Sequence, residues 1–482
     1  MAPHATVGVE PGVSSRASVL IRHLIQVSLA CLILPNLPFW ILGTFLDIGS
    51  RGLLNLEYLG WACVALFLPL RFVVLGLSIS FLLEVFLAFA PIYYLSESDV
   101  VSASKFVLVL PWQRIGTIGS FLLLASVAGA FAITKLLPDR QKTHRARTAA
   151  ILVSGILILA VVDLCSGTNT FFQFSDHRSP INIATSPGLR LAKSTYRLLR
   201  ARDLRATDRR VESATHAVRF RRTTGSLRKP NYVLILVESY GLALDRTSAE
   251  ILKSPFFTPE LAQRYQVEFG TTRFEGGTVS AEMRELCGVW SGVKVFPADP
   301  RLAHCLPTAM KDRGYYTLAI HGFNSYLFNR RGWYPMLGFD EMHFLQDLGH
   351  SSGLPHCSGP FPGICDDAIA DYIGEHLVTH RNQPQFVYWL TLNSHLPIEH
   401  VQANDAALRC GSNEAPAQDA DVCGLMALLY RTNLAIAKAA ARSDLPPTEF
   451  LLVGDHAPPF LSNWRRALFS QREVPYVHLK PR

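Results

Sequence analysis

Apolar residues crowd the first third of this 482-residue chain, and that unevenness limits its fold more than any other feature. Long apolar stretches fall at about 19–46, 55–70, 72–95, 116–137 and 149–167. A bilayer crossing needs roughly 20 such residues. Residues 1–170 are therefore expected to form a five-span α-helical anchor. The second stretch is the shortest, and Pro69 and Arg71 separate it from the third. The first holds Pro35 and Pro38 and is expected to kink. No short apolar segment with a small-residue cleavage site precedes them, so no cleaved signal peptide is expected. With 49% hydrophobic and only 17% charged residues, a disordered chain is excluded.

Basic residues set the expected orientation. Lys135, Arg140, Lys142, Arg145 and Arg147 lie around the turn between the fourth and fifth stretches. Arg16 and Arg22 flank the first, and Arg71 lies between the second and third. The alternate loops, 47–51 and 96–105, are poor in Lys and Arg. Basic loops stay in the cytoplasm, which puts the N-terminus there and the C-terminal domain on the far side. Four spans would leave that domain cytoplasmic. Glu84 falls inside the third stretch, as a functional carboxylate or as one that snorkels or pairs between helices.

The formal net charge of +8 has its densest source in residues 189–229. There Arg190, Arg197, Arg200 and Arg209 are interleaved with Leu191, Leu198 and Leu204. Residues 171–229 read as a linker, with an amphipathic helix lying on an anionic lipid surface. No nucleic-acid module accompanies the arginines, so nucleic acid is not expected as a partner. Cys31, Cys63 and Cys165 fall in apolar stretches, whereas Cys287, Cys305, Cys357, Cys365, Cys410 and Cys423 lie further on. An even number in an exported domain suggests disulfides. Sequence neighbours would pair as Cys287–Cys305, Cys357–Cys365 and Cys410–Cys423. A zinc cluster is the weaker alternative, because no CxxC spacing occurs.

Residues 230–482 read as an α/β domain. Four short apolar runs look like buried strands of a mostly parallel sheet between helices: 232–237, 316–320, 386–392 and 450–453. Each ends in polar groups. Glu238 follows the first, His321 the second, Asn393-Ser394-His395 the third, and Gly454-Asp455-His456 the fourth. Ligands bind beyond the carboxyl ends of such strands, so these side chains are expected to converge. Singly, each is an ordinary turn residue; the fourfold recurrence carries the argument. Glu, Asp and His together suit Zn²⁺, Mn²⁺ or Mg²⁺. Gly276-Gly277 lead into Thr278 and an apparently helical stretch. A metal on the Thr278 oxygen would make it a nucleophile. Thr278 would equally serve as a plain N-cap, and both readings stand at this point.

The pattern resembles the alkaline phosphatase superfamily, in its branch of membrane-bound sulfatase-like phosphotransferases. That branch includes lipoteichoic acid synthases, periplasmic glucan phosphoglycerol transferases and phosphoethanolamine transferases. NYVLILVESYG is similar to the family's first strand and gives Glu238 a metal-binding role. GGTVSAE resembles its nucleophile turn and gives Thr278 that role, on the metal as well. Gly454-Asp455-His456 resembles its late GDH, with Asp455 and His456 as ligands. Ser394-His395-Leu396-Pro397 resembles its (S/T)HxP, with His395 at the substrate. HGFNSYLFNRRGWYPMLGFD places substrate contacts on His321, Asn329 and Arg330. The sequence departs from the lipid A-modifying members in having Gly276-Gly277 where they carry a cysteine. It lacks the C-x-P-x-R of formylglycine sulfatases around Thr278.

The resemblance implies an enzyme of a bacterial cytoplasmic membrane with its catalytic domain outside. Thr278 would take a phosphoethanolamine or phosphoglycerol head group from a phospholipid donor. A glycan or glycolipid hydroxyl would then accept it. His395 or His321 would move protons, and Arg330 would clamp the phosphate as a bidentate donor. A phosphodiester or sulfate-ester hydrolase, or an inactive envelope-organising relative, would use the same scaffold.

Overall fold

The structure, a computed structural model, describes Ile25, Leu29, 33–45, 54–89, Ile92, Tyr94, 112–136, 142–165, 184–188, 191–192, 211–220, 229–289, 304–349, 353–398, Leu408, Cys410 and 418–482. Arg16, Arg22, the loops at 47–51, 96–105 and 137–141, and most of the arginine-rich 189–229 segment lie outside the described residues. The chain forms two compact units, one of residues 1–90 and 111–200, the other of 91–110 and 201–482.

The first unit contains helices α1 (Leu34–Phe45), α2 (Leu56–Ala65), α3 (Leu70–Phe89), α4 (Trp112–Leu136) and α5 (Lys142–Cys165). They coincide with the apolar stretches of the sequence. Tyr58, Leu59 and Ala62 of α2 pack with Val73, Leu77 and Phe81 of α3, Ala130 and Ile133 of α4 and Leu152 of α5. The opposite faces are apolar too: Leu75, Ile79, Leu82, Leu124, Leu157 and Ile158 are all more than half exposed. Glu84 is buried and helix-paired. It accepts hydrogen bonds from Asn55 Nδ2 at 2.7 Å and from the Tyr58 hydroxyl. Within the described residues α1 and α2 span 12 and 10 residues. Among the described residues, one helix is both long and apolar enough to cross a membrane: Ala420–Ala441, mostly buried in the second unit. A multi-span membrane domain is thus not shown.

The second unit is built on a seven-stranded mixed sheet. Its strands are β1 (Asn231–Val237), β2 (Tyr265–Arg273), β3 (Tyr316–His321), β4 (Glu341–His343), β5 (Gln385–Leu390), β6 (Thr448–Gly454) and β7 (Glu473–Pro481). Their order is β2-β7-β6-β1-β5-β3-β4. β6, β1, β5, β3 and β4 run parallel to one another, and β7 is antiparallel to both β6 and β2. All four runs expected from the sequence are central, adjacent strands. Every residue of β1, β5 and β6 is buried, so both faces of the sheet are covered there. β2 and β7, which the apolar-run criterion passed over, mix buried with open positions. Cysteines pair as Cys287–Cys305, Cys357–Cys365 and Cys410–Cys423, the neighbour connectivity.

Candidate active site

Strand order dictates which side chains meet. β6 and β1 are neighbours in register, with Gly454 opposite Val237, so Asp455 and Glu238 leave the sheet side by side. The Asp455 N–H still donates to the Val237 carbonyl at 3.1 Å, which carries the ladder one step past the strand end. Gly454 is required there: a Cβ would lie 2.1 Å from the Tyr240 carbonyl oxygen. Ser239 turns the chain after Glu238 in the left-handed region, at φ 53°. Its N–H donates to Asp455 Oδ1 at 2.8 Å, and its hydroxyl to Glu238 Oε1 at 2.9 Å. The His456 N–H adds a second donor to Asp455 Oδ1, at 2.6 Å. One carboxylate oxygen is thus held by the backbone while Oδ2 faces the crevice.

Thr278 meets this cluster from helix α6 (Thr278–Cys287). The N-cap is Gly277, preceded by Gly276 at φ +76°. Thr278 is therefore not the cap, and its hydroxyl is available for chemistry. Thr278 Oγ1 lies 3.0 Å from Asp455 Oδ2, 3.3 Å from Glu238 Oε2 and 3.5 Å from His456 Nε2. The ligand atoms of Glu238, Asp455 and His456 all lie within 4.8 Å of one another, and all three residues are buried.

The electrostatics of this group call for a cation. Burial and the Glu238 charge push the Asp455 carboxyl well above the usual carboxylate range. Burial also opposes the charge of Glu238, but His395, His456 and the Ser239 hydroxyl outweigh it and hold that carboxyl low. Burial pulls the His456 imidazole down and keeps it neutral, with Nε2 as a lone-pair donor. Two buried carboxylates, a neutral imidazole and a hydroxyl fit a hard or borderline divalent cation. Glu238, Asp455 and His456 would hold it, next to the Thr278 oxygen.

The next strands bring the other predicted residues. His395 follows β5, partly buried, with the Phe361 ring 4.2 Å from its own. Its neighbour Ser394 donates to the Glu238 carbonyl at 2.5 Å, which ties the β5 and β1 loops together. His321 ends β3, buried, with Nδ1 3.0 Å from the Leu390 carbonyl. Burial and the adjacent Arg330 charge pull its pKa down to about 3, so it is neutral near pH 7. Arg330 starts helix α7 (Arg330–Leu337), buried, and pairs with Glu282 at 3.3 Å through Nε and Nη2. That edge of the guanidinium is spent on Glu282, so a bidentate phosphate grip through it is closed. Asn329 is exposed, in the left-handed conformation at φ 52°.

Three residues that the sequence did not single out support the site. Glu282 lies one turn beyond Thr278 on α6 and also accepts from the hydroxyls of Tyr334 and Tyr388. The i, i+4 helical spacing was a usable signal for it. Arg284, buried, donates to the carbonyls of Gly454 at 2.8 Å and Asp455 at 3.3 Å. Asp366, at the start of helix α8 (Asp366–Thr379), accepts from the N–H groups of Leu392 and Asn393 at 3.0 and 2.8 Å, and so fixes the loop before His395.

The sulfatase family model matches residues 230–478. An uncharacterized protein of Haemophilus influenzae is 28% identical over 189 residues, 36% of this chain and 33% of that protein. The matched region thus spans about a third of that relative's length. Among solved structures, the lipoteichoic acid synthase LtaP of Listeria monocytogenes is similar at 12% identity over 56% of this chain and 71% of that one, with a TM-score of 0.38. The phosphoglycerol transferase GacH of Streptococcus pyogenes is similar at 17% identity, over 54% and 71%, with a TM-score of 0.39. The periplasmic domain of EptC from Escherichia coli, in complex with Zn, is similar at 13% identity, over 53% and 74%, with a TM-score of 0.33. The family match takes in slightly more than half of the residues, and the chain belongs to the sulfatase family.

Proposed function

We propose that this protein transfers a phospholipid head-group phosphate, phosphoethanolamine or phosphoglycerol, through a covalent phosphothreonine to a glycan or glycolipid hydroxyl. The observation that carries the reading is the Thr278 hydroxyl set 3.0 Å from Asp455 Oδ2 and 3.3 Å from Glu238 Oε2, beside the His456 lone pair. A hydroxyl among cation-binding groups at a helix N-terminus suits attack on a phosphodiester. In the first displacement, Thr278 Oγ1 bonds to phosphorus and the bond to the diacylglycerol oxygen breaks. In the second, the acceptor oxygen bonds to phosphorus and the Thr278 bond breaks. A divalent cation, Zn²⁺ or Mn²⁺ with Mg²⁺ a further choice, would lower the Thr278 pKa and neutralise phosphoryl charge. His395 serves as the proton donor and acceptor. His321 is neutral and donates Nδ1–H to Leu390, so its Nε2 serves as a hydrogen-bond acceptor.

The membrane setting belongs to the same proposal. A lipid donor calls for a site at the bilayer, and the exposed apolar faces of α3, α4 and α5 suit lipid rather than water. The apolar stretches support a multi-span anchor, and the distribution of Lys and Arg supports a catalytic domain outside the cytoplasmic membrane of a bacterium and a lipid-surface role for residues 189–229. The test is head-group transfer by the full chain in detergent, supplied with head-group-labelled phosphatidylethanolamine or phosphatidylglycerol and a glycolipid mixture. Labelled glycolipid with equimolar diacylglycerol supports transfer. Label released only into water, whatever acceptor is present, would make the protein a hydrolase.

A further inference from the structure

The second unit is not contiguous in sequence: it includes residues 91–110, which lie between helices α3 and α4 of the first. One side chain of that segment reaches the metal-binding cluster. The Tyr94 ring lies 4.6 Å from the His456 imidazole, centroid to centroid, at an interplanar angle of 39°. Its hydroxyl donates to the Ala457 carbonyl at 3.0 Å. The Nδ1 of His456 lies 2.9 Å from that same oxygen. Phe274 meets the Tyr94 ring edge-on at 5.8 Å. Tyr94 also sits in the left-handed region at φ 55°, a conformation that a bulky residue keeps only where its surroundings enforce it.

We propose that Tyr94 is a positioning residue for the metal-ligating imidazole of His456. The proposal rests on the metal-site reading given above. Donation of Nδ1–H to Ala457 leaves the lone pair on Nε2, the nitrogen 3.2 Å from Asp455 Oδ2 and 3.5 Å from Thr278 Oγ1. Two donors on one carbonyl fix where that oxygen sits. The tyrosine ring against the imidazole stops it from turning about its own axis. Outer-shell groups that orient a ligating histidine in this way contribute to metal affinity although they never touch the metal.

The test is Mn²⁺ binding to the full chain in detergent, followed by electron paramagnetic resonance, for the wild type, Tyr94→Leu and Tyr94→Phe. Tyr94→Leu is expected to weaken binding about tenfold, the low end of outer-shell losses. Tyr94→Phe keeps the ring and is expected to lose less. Turnover of both variants should recover towards the wild-type kcat at saturating Mn²⁺, which a collapsed site would not do. Equal Mn²⁺ affinity in all three proteins overturns the role of Tyr94 and leaves the metal site standing. No Mn²⁺ binding by the wild type overturns the metal site and this inference with it. Should Tyr94→Leu not fold, a Tyr94→Phe protein with unaltered affinity and an unaltered turnover-against-Mn²⁺ curve overturns the hydroxyl's part in it.

Discussion

Arg284 donates from Nη2 to the main-chain carbonyl of Gly454, 2.8 Å away, and so joins helix α6, which begins at Thr278, to the strand end that carries two of the candidate ligands. The arginine is buried and its charge is met by Glu285, 2.6 Å from Nε. Arg284→Leu would leave Glu285 and two carbonyls short of a donor. The expected outcome is a loss of about 3–5 kcal/mol in stability, as when one partner of a buried ion pair is removed. Arg284→Lys keeps the charge but not the fork. It is expected to fold and to lower kcat at saturating metal, because Thr278 and Asp455 lose their common tether. Chemical denaturation and steady-state kinetics check both.

Glu282 makes a second prediction. From helix α6 it joins Arg330, Tyr334 and Tyr388 in one buried cluster. Glu282→Gln removes the charge that holds Arg330 and keeps the shape. Turnover should fall at least tenfold while the Mn²⁺ affinity stays within about twofold, because Arg330 is not among the metal ligands. Equal losses of turnover and metal affinity would contradict this division of roles.

The buried His321 gives a pH dependence with a definite sign. Its folded pKa, about 3, lies below the ordinary histidine value of 6.5. The unfolded chain therefore binds the extra proton first as pH falls. The stabilising contribution is complete above pH 6.5 and is lost between there and about pH 3. His321→Gln should flatten that part of the thermal-stability profile, with the two proteins differing most in slope near pH 5. Parallel profiles would mean that His321 protonates freely in the folded state.

Much of the site was legible in the sequence because a buried parallel sheet makes it so. β1, β3, β5 and β6 are fully or almost fully buried, which forces continuous apolar runs, and the ligands follow where those runs stop. The disulfides were legible because each closes a short loop, of 18, 8 and 13 residues in separation. β2 and β7 lack such runs: Glu268, His478 and Lys480 interrupt their apolar residues. Arg284 and Glu285 read as ordinary helix charges, since only the tertiary fold buries them beside the β6 end. Tyr94 left no local trace at all, because its partner Ala457 lies 363 residues away.

Intact mass spectrometry of the full chain in detergent tests covalent catalysis by Thr278 most directly. The protein is incubated with Mn²⁺ and either phosphatidylethanolamine or phosphatidylglycerol, without acceptor, and compared with Thr278→Ala. The wild type should gain a phosphoethanolamine or phosphoglycerol mass with one of the two lipids. Peptide mapping should place it on Thr278, and it should be absent from the variant. An adduct that persists in Thr278→Ala, or wild-type protein that binds Mn²⁺ and consumes lipid with no adduct at any quench time, would contradict that mechanism.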